Sequence, residues 1–365
     1  MNSVYLVYTP YHILTAAGLA SLYDESDKKY LVIVSDFADA DMFCHVISKW
    51  NRNPFLEIIL LDGRYNISNE TEIKRVNVFR KNVRLLKDLF NTKLKDGCNA
   101  FIYHDANVEG QIIAYLNYKK GGTNFYVEDG TSAYSNYIAP TLPFYKILIA
   151  RVVYGKFYEN VRILGMNRYI SKIMVFSPEN VRTELRNKKI IKIPKQVLLS
   201  LNNNIFISNL LKSYGIDQKK LDIKNVFIAA HSDHLIKYNL MARYKILFGC
   251  CITELKDIHV KYHPRERIPD FLDVEKDPKV KIIPQALPME ILSLSLIGRE
   301  PKMIIGDIST SLLTAKILLK PARVISLLRL LNSENVYPEE IFKKEGIIIP
   351  KKVTQLKKEL KSHES

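Results

Sequence analysis

Hydrophobic and polar positions along the chain follow two alternating periods. Short runs rich in β-branched and aromatic residues stand at 4–8, 30–35, 56–61, 100–104 and 124–127, lengths that suit strands buried on both faces. Between them, 11–22, 72–90 and 109–118 space their apolar side chains three and four apart, as amphipathic helices do. The second half repeats the rhythm, with strands predicted at 172–176, 225–230, 258–262, 280–283, 302–305 and 323–326 and helices at 234–248, 289–297 and 309–319. Such alternation predicts parallel sheets covered by helices. The stretch 177–223 has no clean strand period and is rich in Lys and Asn, so it reads as a connection with a helix or two. The economical architecture is two similar α/β domains facing each other across a central cleft. Their predicted bounds are 1–175 and 224–350, joined by 176–223 and followed by a basic tail, 351–365.

With 365 residues, 47% of them hydrophobic, the chain has ample material for two cores. No apolar run approaches the roughly 18 residues that span a bilayer. The first ten residues lack the basic start and small-residue cleavage site of a signal peptide and read as a strand, which predicts a cytoplasmic protein. Cys44, Cys98, Cys250 and Cys251 show no zinc-ligand spacing and read as reduced, mostly buried thiols.

Charge is unevenly placed. Residues 1–170 hold 20 Lys and Arg against 17 Asp and Glu; residues 171–365 hold 34 against 21. A basic second half suits an anionic partner such as a nucleotide, a phosphorylated lipid or an acidic membrane surface. No nucleic-acid-binding motif accompanies the charge, so nucleic acid is not an expected partner. The basic amphipathic segment 72–90 fits either a solvated helix face or a helix lying on an acidic membrane.

Four polar clusters close apolar runs, where open α/β sheets bind ligands. In the first, Glu128 and Asp129 precede Gly130, a turn that could aim a carboxylate at a reacting hydroxyl or stay solvated. In the second, Asp233 stands between His231 and His234 at a strand–helix junction, as a helix cap or as a base. In the third, Pro264 restricts His263 to extended geometry, and His263 with Arg265 could bind and protonate a departing phosphate. In the fourth, Ser309, Thr310 and Ser311 open a helix and form either a phosphate site or a simple cap. Glu290, in the first turn of the helix predicted at 289–297, could accept from ribose hydroxyls or only complement the helix dipole. The chain has no GxGxxG after a strand, no P-loop, no Asp-x-Asp at a strand end and no GxSxG elbow. These residues describe an enzyme for an anionic substrate with no obvious metal.

Taken in order, the acidic pair with Gly130, the His263-Pro264 step and the Ser309–Ser311 hydroxyls resemble the motifs of bacterial sialyltransferases. The start, from Val7 to Leu14, resembles the lipooligosaccharide sialyltransferase family in particular, and the bacterial polysialyltransferases share the acidic-Gly and His-Pro motifs. The resemblance implies a GT-B fold of two Rossmann-like domains and inverting, metal-free transfer of sialic acid from CMP-sialic acid to a sugar hydroxyl, usually galactose, of a glycan or glycolipid. It implies no cofactor. The expected location is the cytoplasm, either in solution or, through the basic segments, on the cytoplasmic face of the inner membrane. By resemblance His263 serves the leaving phosphate, Ser309, Thr310 and Ser311 hold it, Glu290 takes the ribose, and the base is Asp233 or an acid of the Glu128-Asp129 pair. Asp233 is the expected base, with the acidic turn shaping the acceptor side. The Glu-Asp form of that turn and the Tyr262 before His263 lean toward the polysialyltransferases.

Overall fold

Parallel pairing alone builds both sheets. A computed structural model describes residues 1–64, 72–202, 205–299, 301–320, 322–332 and 339–361. In it, β1 (Asn2–Val7), β2 (Lys28–Val34), β3 (Glu57–Leu61), β4 (Cys98–Ile102), β5 (Thr123–Val127), β6 (Lys172–Val175) and β7 (Lys189–Lys192) form a sheet in the order β3-β2-β1-β4-β5-β6-β7. A second sheet, in the order β10-β9-β8-β11-β12, contains β8 (Asn225–Ile228), β9 (Ile258–Lys261), β10 (Val280–Ile283), β11 (Met303–Gly306) and β12 (Arg323–Ser326). The chain divides into two compact units, Met1–Leu201 and Asn202–Ser365, with one sheet in each.

Both sheets reverse their winding beside their first strand. β1 lies between β2 and β4, and β8 lies between β9 and β11. Helices leave toward opposite faces at such a reversal, opening a crevice at the carboxyl ends of the strands. Register is held in the first unit by a cross-strand ladder. Tyr5, Phe101 and Phe125 are register partners whose rings stack at 4.5 and 4.9 Å. The Lys172 ammonium lies 5.0 Å from the Phe125 ring centre, and each stacked pair adds about 0.5–1.5 kcal/mol beyond its buried area.

Three elements differ from the sequence expectation. The stretch 177–223 contains β7, a four-residue edge strand with Lys at both ends, too short to show a two-residue period. That stretch is divided between the units, since the boundary falls after Leu201. The helix expected at 234–248 is two helices, Ser232–Lys237 and Met241–Glu254, separated where Asn239 takes φ 55°. Asn tolerates that left-handed geometry and closes helices with it.

Residues 353–361, within the expected basic tail, form a helix whose Leu356 and Leu360 are buried in the second unit's core. Arg323 pairs with Glu359, and Lys361 lies 3.6 Å from Glu254. Leu356→Ala therefore costs about 2–5 kcal/mol, the scale of a buried leucine truncated in a packed core. A lowered urea midpoint for the second unit's transition, with the first unit's unchanged, is the expected reading.

Candidate active site

The second unit's site starts from how β8 ends. Ala229 N–H donates to Lys261 O on β9, and Ala230 N–H donates to the Tyr244 hydroxyl at 2.8 Å. The next residue, His231, therefore emerges in a defined direction. Its Nδ1 accepts from Asp233 N–H at 3.1 Å, capping the helix Ser232–Lys237, and its Nε2 donates to Arg265 O at 3.0 Å. The cap, one of the two roles open to Asp233, is thus made by His231. The Asp233 carboxylate stays 65% exposed, 3.8 Å from His231 Nδ1.

His263 follows β9 and packs edge-on against His231, ring centres 4.9 Å apart. Its Nδ1 accepts from Arg265 N–H at 3.1 Å, so the neutral ring carries its proton on Nε2. Burial first, then Arg265, His231 and Lys261, push its pKa down to about 4, against a small opposing pull from Glu266. Glu266 ties this turn to the neighbouring helix, accepting from Ser232 N–H at 2.8 Å and from the Ser232 hydroxyl. His231, Asp233, His234, His263, Arg265 and Arg267 line one cavity of about 410 Å³.

The remaining second-unit candidates gather one strand away. Ser309 caps the helix Thr310–Leu318, accepting from Ser311 N–H at 3.2 Å, and Ser311 Oγ donates to Glu290 Oε1 at 3.4 Å. Thr310 is the first residue of that helix. Asp307, buried at the end of β11, has its pKa pushed up to about 6 by that burial. Between the clusters, buried Lys261 donates to Tyr262 O and Gln285 O at 2.6 and 2.7 Å. Burial brings its pKa down to about 8, with Glu290 pulling the other way.

In the first unit, the two acids of the Glu128-Asp129-Gly130 turn separate in role. Glu128 is buried and accepts from the Tyr134 hydroxyl, Phe176 N–H at 2.8 Å and the Tyr11 hydroxyl at 3.4 Å. It fastens the turn to β6 and the first helix. Asp129 keeps its side chain 25% exposed and meets His12 Nε2 at 2.8 Å. Burial raises its pKa, but the charge and hydrogen bond of His12, with His104 behind, outweigh that and hold the carboxyl below its ordinary value. Gly130 follows at φ 55°, a geometry that side chains strain.

His12 is the residue that sequence reasoning passed over. Its Nδ1 accepts from Tyr8 N–H at 3.2 Å, its backbone N–H donates to the Thr9 cap, and its ring stacks on Tyr103 at 4.7 Å. The signal was present: Thr9 and Pro10 mark a helix start directly after β1, which places His12 in the first turn at the sheet's carboxyl edge. Among the described residues, no three His, Cys, Asp or Glu side chains converge as a metal-ligand set.

Residues 3–328 match the family model described as Alpha-2,8-polysialyltransferase (POLYST). That family is the one placed beside the lipooligosaccharide enzymes by the shared acidic-Gly and His-Pro motifs. No curated protein matches the chain. Among solved structures, it is similar to a UDP-GlcNAc 2-epimerase from Methanocaldococcus jannaschii, with TM-score 0.58 and 16% identity over 98% of this chain and 91% of that one. It is also similar to the UDP-GlcNAc 2-epimerase from Neisseria meningitidis bound to UDP-GlcNAc, at 0.54 and 12% over 99% and 98%. TcCGT1 in complex with UDP matches at 0.52 and 12%, over 99% of this chain and 94% of that one. Likeness at these identities shows the fold alone, which is GT-B in type.

The His263 environment has a consequence for stability. Its folded pKa of about 4 lies below the ordinary histidine value of 6.5. The stability this contributes is complete above the ordinary value and is lost as pH falls from there toward 4. His263→Asn removes the term, so its thermal midpoint falls less steeply than wild type between pH 7 and 4. Parallel curves for the two proteins would contradict the buried, neutral imidazole.

Proposed function

We propose that this chain, which belongs to the alpha-2,8-polysialyltransferase family, lengthens a sialic-acid chain by inverting transfer from CMP-sialic acid. Enzymes of this family depend on CMP-sialic acid as donor. The observation that carries the reading is His263 lining the cavity beside Arg265, with Nδ1 occupied by Arg265 N–H so that its proton is on Nε2. In the reaction the bond from the sialyl anomeric carbon to the CMP phosphate oxygen breaks, and a bond to the acceptor oxygen forms. CMP departs as a phosphate monoester, and a neutral N–H donor with a guanidinium alongside suits that charge. With Nδ1 held as an acceptor by Arg265 N–H, His263 stays neutral and donates its Nε2–H to the phosphate oxygen as charge builds there. The amides and hydroxyls at Ser309–Ser311 and the carboxylate of Glu290 serve the rest of the nucleotide.

For the base, the geometry favours Asp129. Its carboxylate is ionised, partly exposed and oriented by a histidine of fixed tautomer, whereas Asp233 is mostly solvated. Asp129 takes the proton from the acceptor hydroxyl while Glu128 holds the turn. Asp233 is the competing reading because it lines the cavity with His263.

Product masses decide the reaction. With CMP-sialic acid, a sialylated oligosaccharide should give a ladder of successive sialyl additions, and a galactose-terminated one should give none. A single addition to the galactoside would replace this reading with a lipooligosaccharide-type transfer. His263→Ala should lower turnover by roughly 10²–10⁴, the scale of a positioned proton donor; turnover near wild type would remove it from the mechanism.

The base is separated by three variants assayed for transfer, CMP binding and thermal midpoint. Asp129→Asn should lose transfer by a similar factor with CMP affinity unchanged and the protein still folded, its midpoint lowered by the lost charge pairing with His12. Glu128→Gln should lose transfer together with about 1–3 kcal/mol of stability, since it disturbs a buried hydrogen-bond set. Asp233→Asn should stay within a few-fold of wild type. An inactive Asp233→Asn with intact CMP binding, beside an active Asp129→Asn, would transfer the role to Asp233.

A further inference from the structure

The helix Phe144–Tyr154 in the first unit has no buried residue among its eleven. Its inner side rests on the helix Glu72–Thr92: the Tyr154 and Phe79 rings meet edge-on at 6.2 Å, and Arg80 Nε donates to Val153 O at 3.4 Å. Its outer side is a continuous row of Phe144, Tyr145, Leu148, Ile149 and Val152, with Phe144 71% and Val152 85% exposed. Positions three and four apart are neighbours on a helix surface, and these five residues are linked by such steps, so their side chains form one patch. Just before the helix, Tyr137 and Ile138 are exposed as well. Isolated exposed apolar residues are ordinary; a contiguous row marks a contact surface.

Charge identifies the occupant. Residues 137–158 contain no Asp or Glu, while Lys146, Arg151 and Lys156 are exposed there, and the neighbouring helix adds exposed Arg80, Arg84 and Lys87. The basic helix alone is compatible with a solvated face; the uncovered apolar row beside it is what a solvated face lacks. On the neighbouring helix the exposed Asp88 stands among these cations, but the segment that carries the row has no acid. An apolar row flanked by an excess of cations complements an anionic bilayer, whose headgroups take the cations and whose acyl boundary takes the row. Eleven residues rise about 16 Å, roughly half the hydrocarbon thickness, so the helix lies in the interface and does not cross it. We propose that the helix Phe144–Tyr154 and the cations around it form a surface that seats the protein on an anionic lipid bilayer. This surface does not depend on the transfer reaction assigned above.

Vesicle flotation of the full chain tests it. The protein should float with vesicles containing phosphatidylglycerol, less so as salt rises, and stay behind with phosphatidylcholine alone. Leu148→Ser/Val152→Ser should weaken flotation by about tenfold or more through lost apolar burial. Lys146→Glu/Lys156→Glu should weaken it through charge alone, and neither pair should shift the thermal midpoint or transfer to a soluble acceptor. Equal flotation by wild type and both pairs overturns the proposal, as does indifference to phosphatidylglycerol. A wild-type dimer that Leu148→Ser/Val152→Ser converts to monomer, without vesicle binding, assigns the patch to a second copy instead.

Discussion

Three imidazoles at the ends of parallel strands each accept a backbone N–H at Nδ1, and the chemistry at both sheet edges depends on it. Tyr8 donates to His12, Asp233 to His231 and Arg265 to His263. A peptide N–H just past a strand or opening a helix has no ladder partner and needs one. Supplying it with a ring nitrogen fixes both the ring plane and the tautomer, so each histidine presents Nε2–H outward. For His12 that proton meets Asp129, for His231 the Arg265 carbonyl, and His263 offers it to the cavity. The sheet edges are therefore furnished with N–H donors of set direction.

The same constraint explains why neighbouring acids diverge. Glu128 and Asp129 are adjacent in sequence, and successive residues of an extended segment point oppositely. One falls among Tyr11, Tyr134 and the Phe176 amide; the other falls on His12 at the rim. In the second unit, Lys261 places a buried ammonium between the histidine turn and Glu290, bonded only to peptide oxygens. It lowers the proton affinity of His263 while bracing the chain around it. Support and chemistry thus fall to residues two positions apart, Lys261 closing β9 and His263 just past it.

The strands were legible because parallel strands buried on both faces appear as apolar runs, and eleven of them stand within a few residues of their expected places. β7 escaped notice because two isoleucines between lysines carry no period. The break at Asn239 was hidden because amphipathic spacing continues across it, and only backbone geometry records the left-handed residue. At the site, the polar clusters could be found from composition at strand ends. What composition could not supply was which oxygen of a pair is buried, or that a histidine replaces an aspartate as a cap. Those outcomes depend on contacts between residues as distant as Tyr11 and Glu128.

The helix 353–361 has a further bearing, on the order in which the molecule can be made. The first unit holds all its strands by Lys192 and lies within Met1–Leu201, so a chain emerging from the ribosome can complete it early. The second unit cannot. Its core lacks Leu356 and Leu360 until those residues are synthesised, and until then the part of the helix Met241–Glu254 that they cover stands open. Domains generally fold as units during synthesis, and exposed apolar surface is where folding intermediates associate. The nascent second unit therefore passes through a window in which it is the vulnerable half, and chaperone demand falls there and not on the half that is finished first.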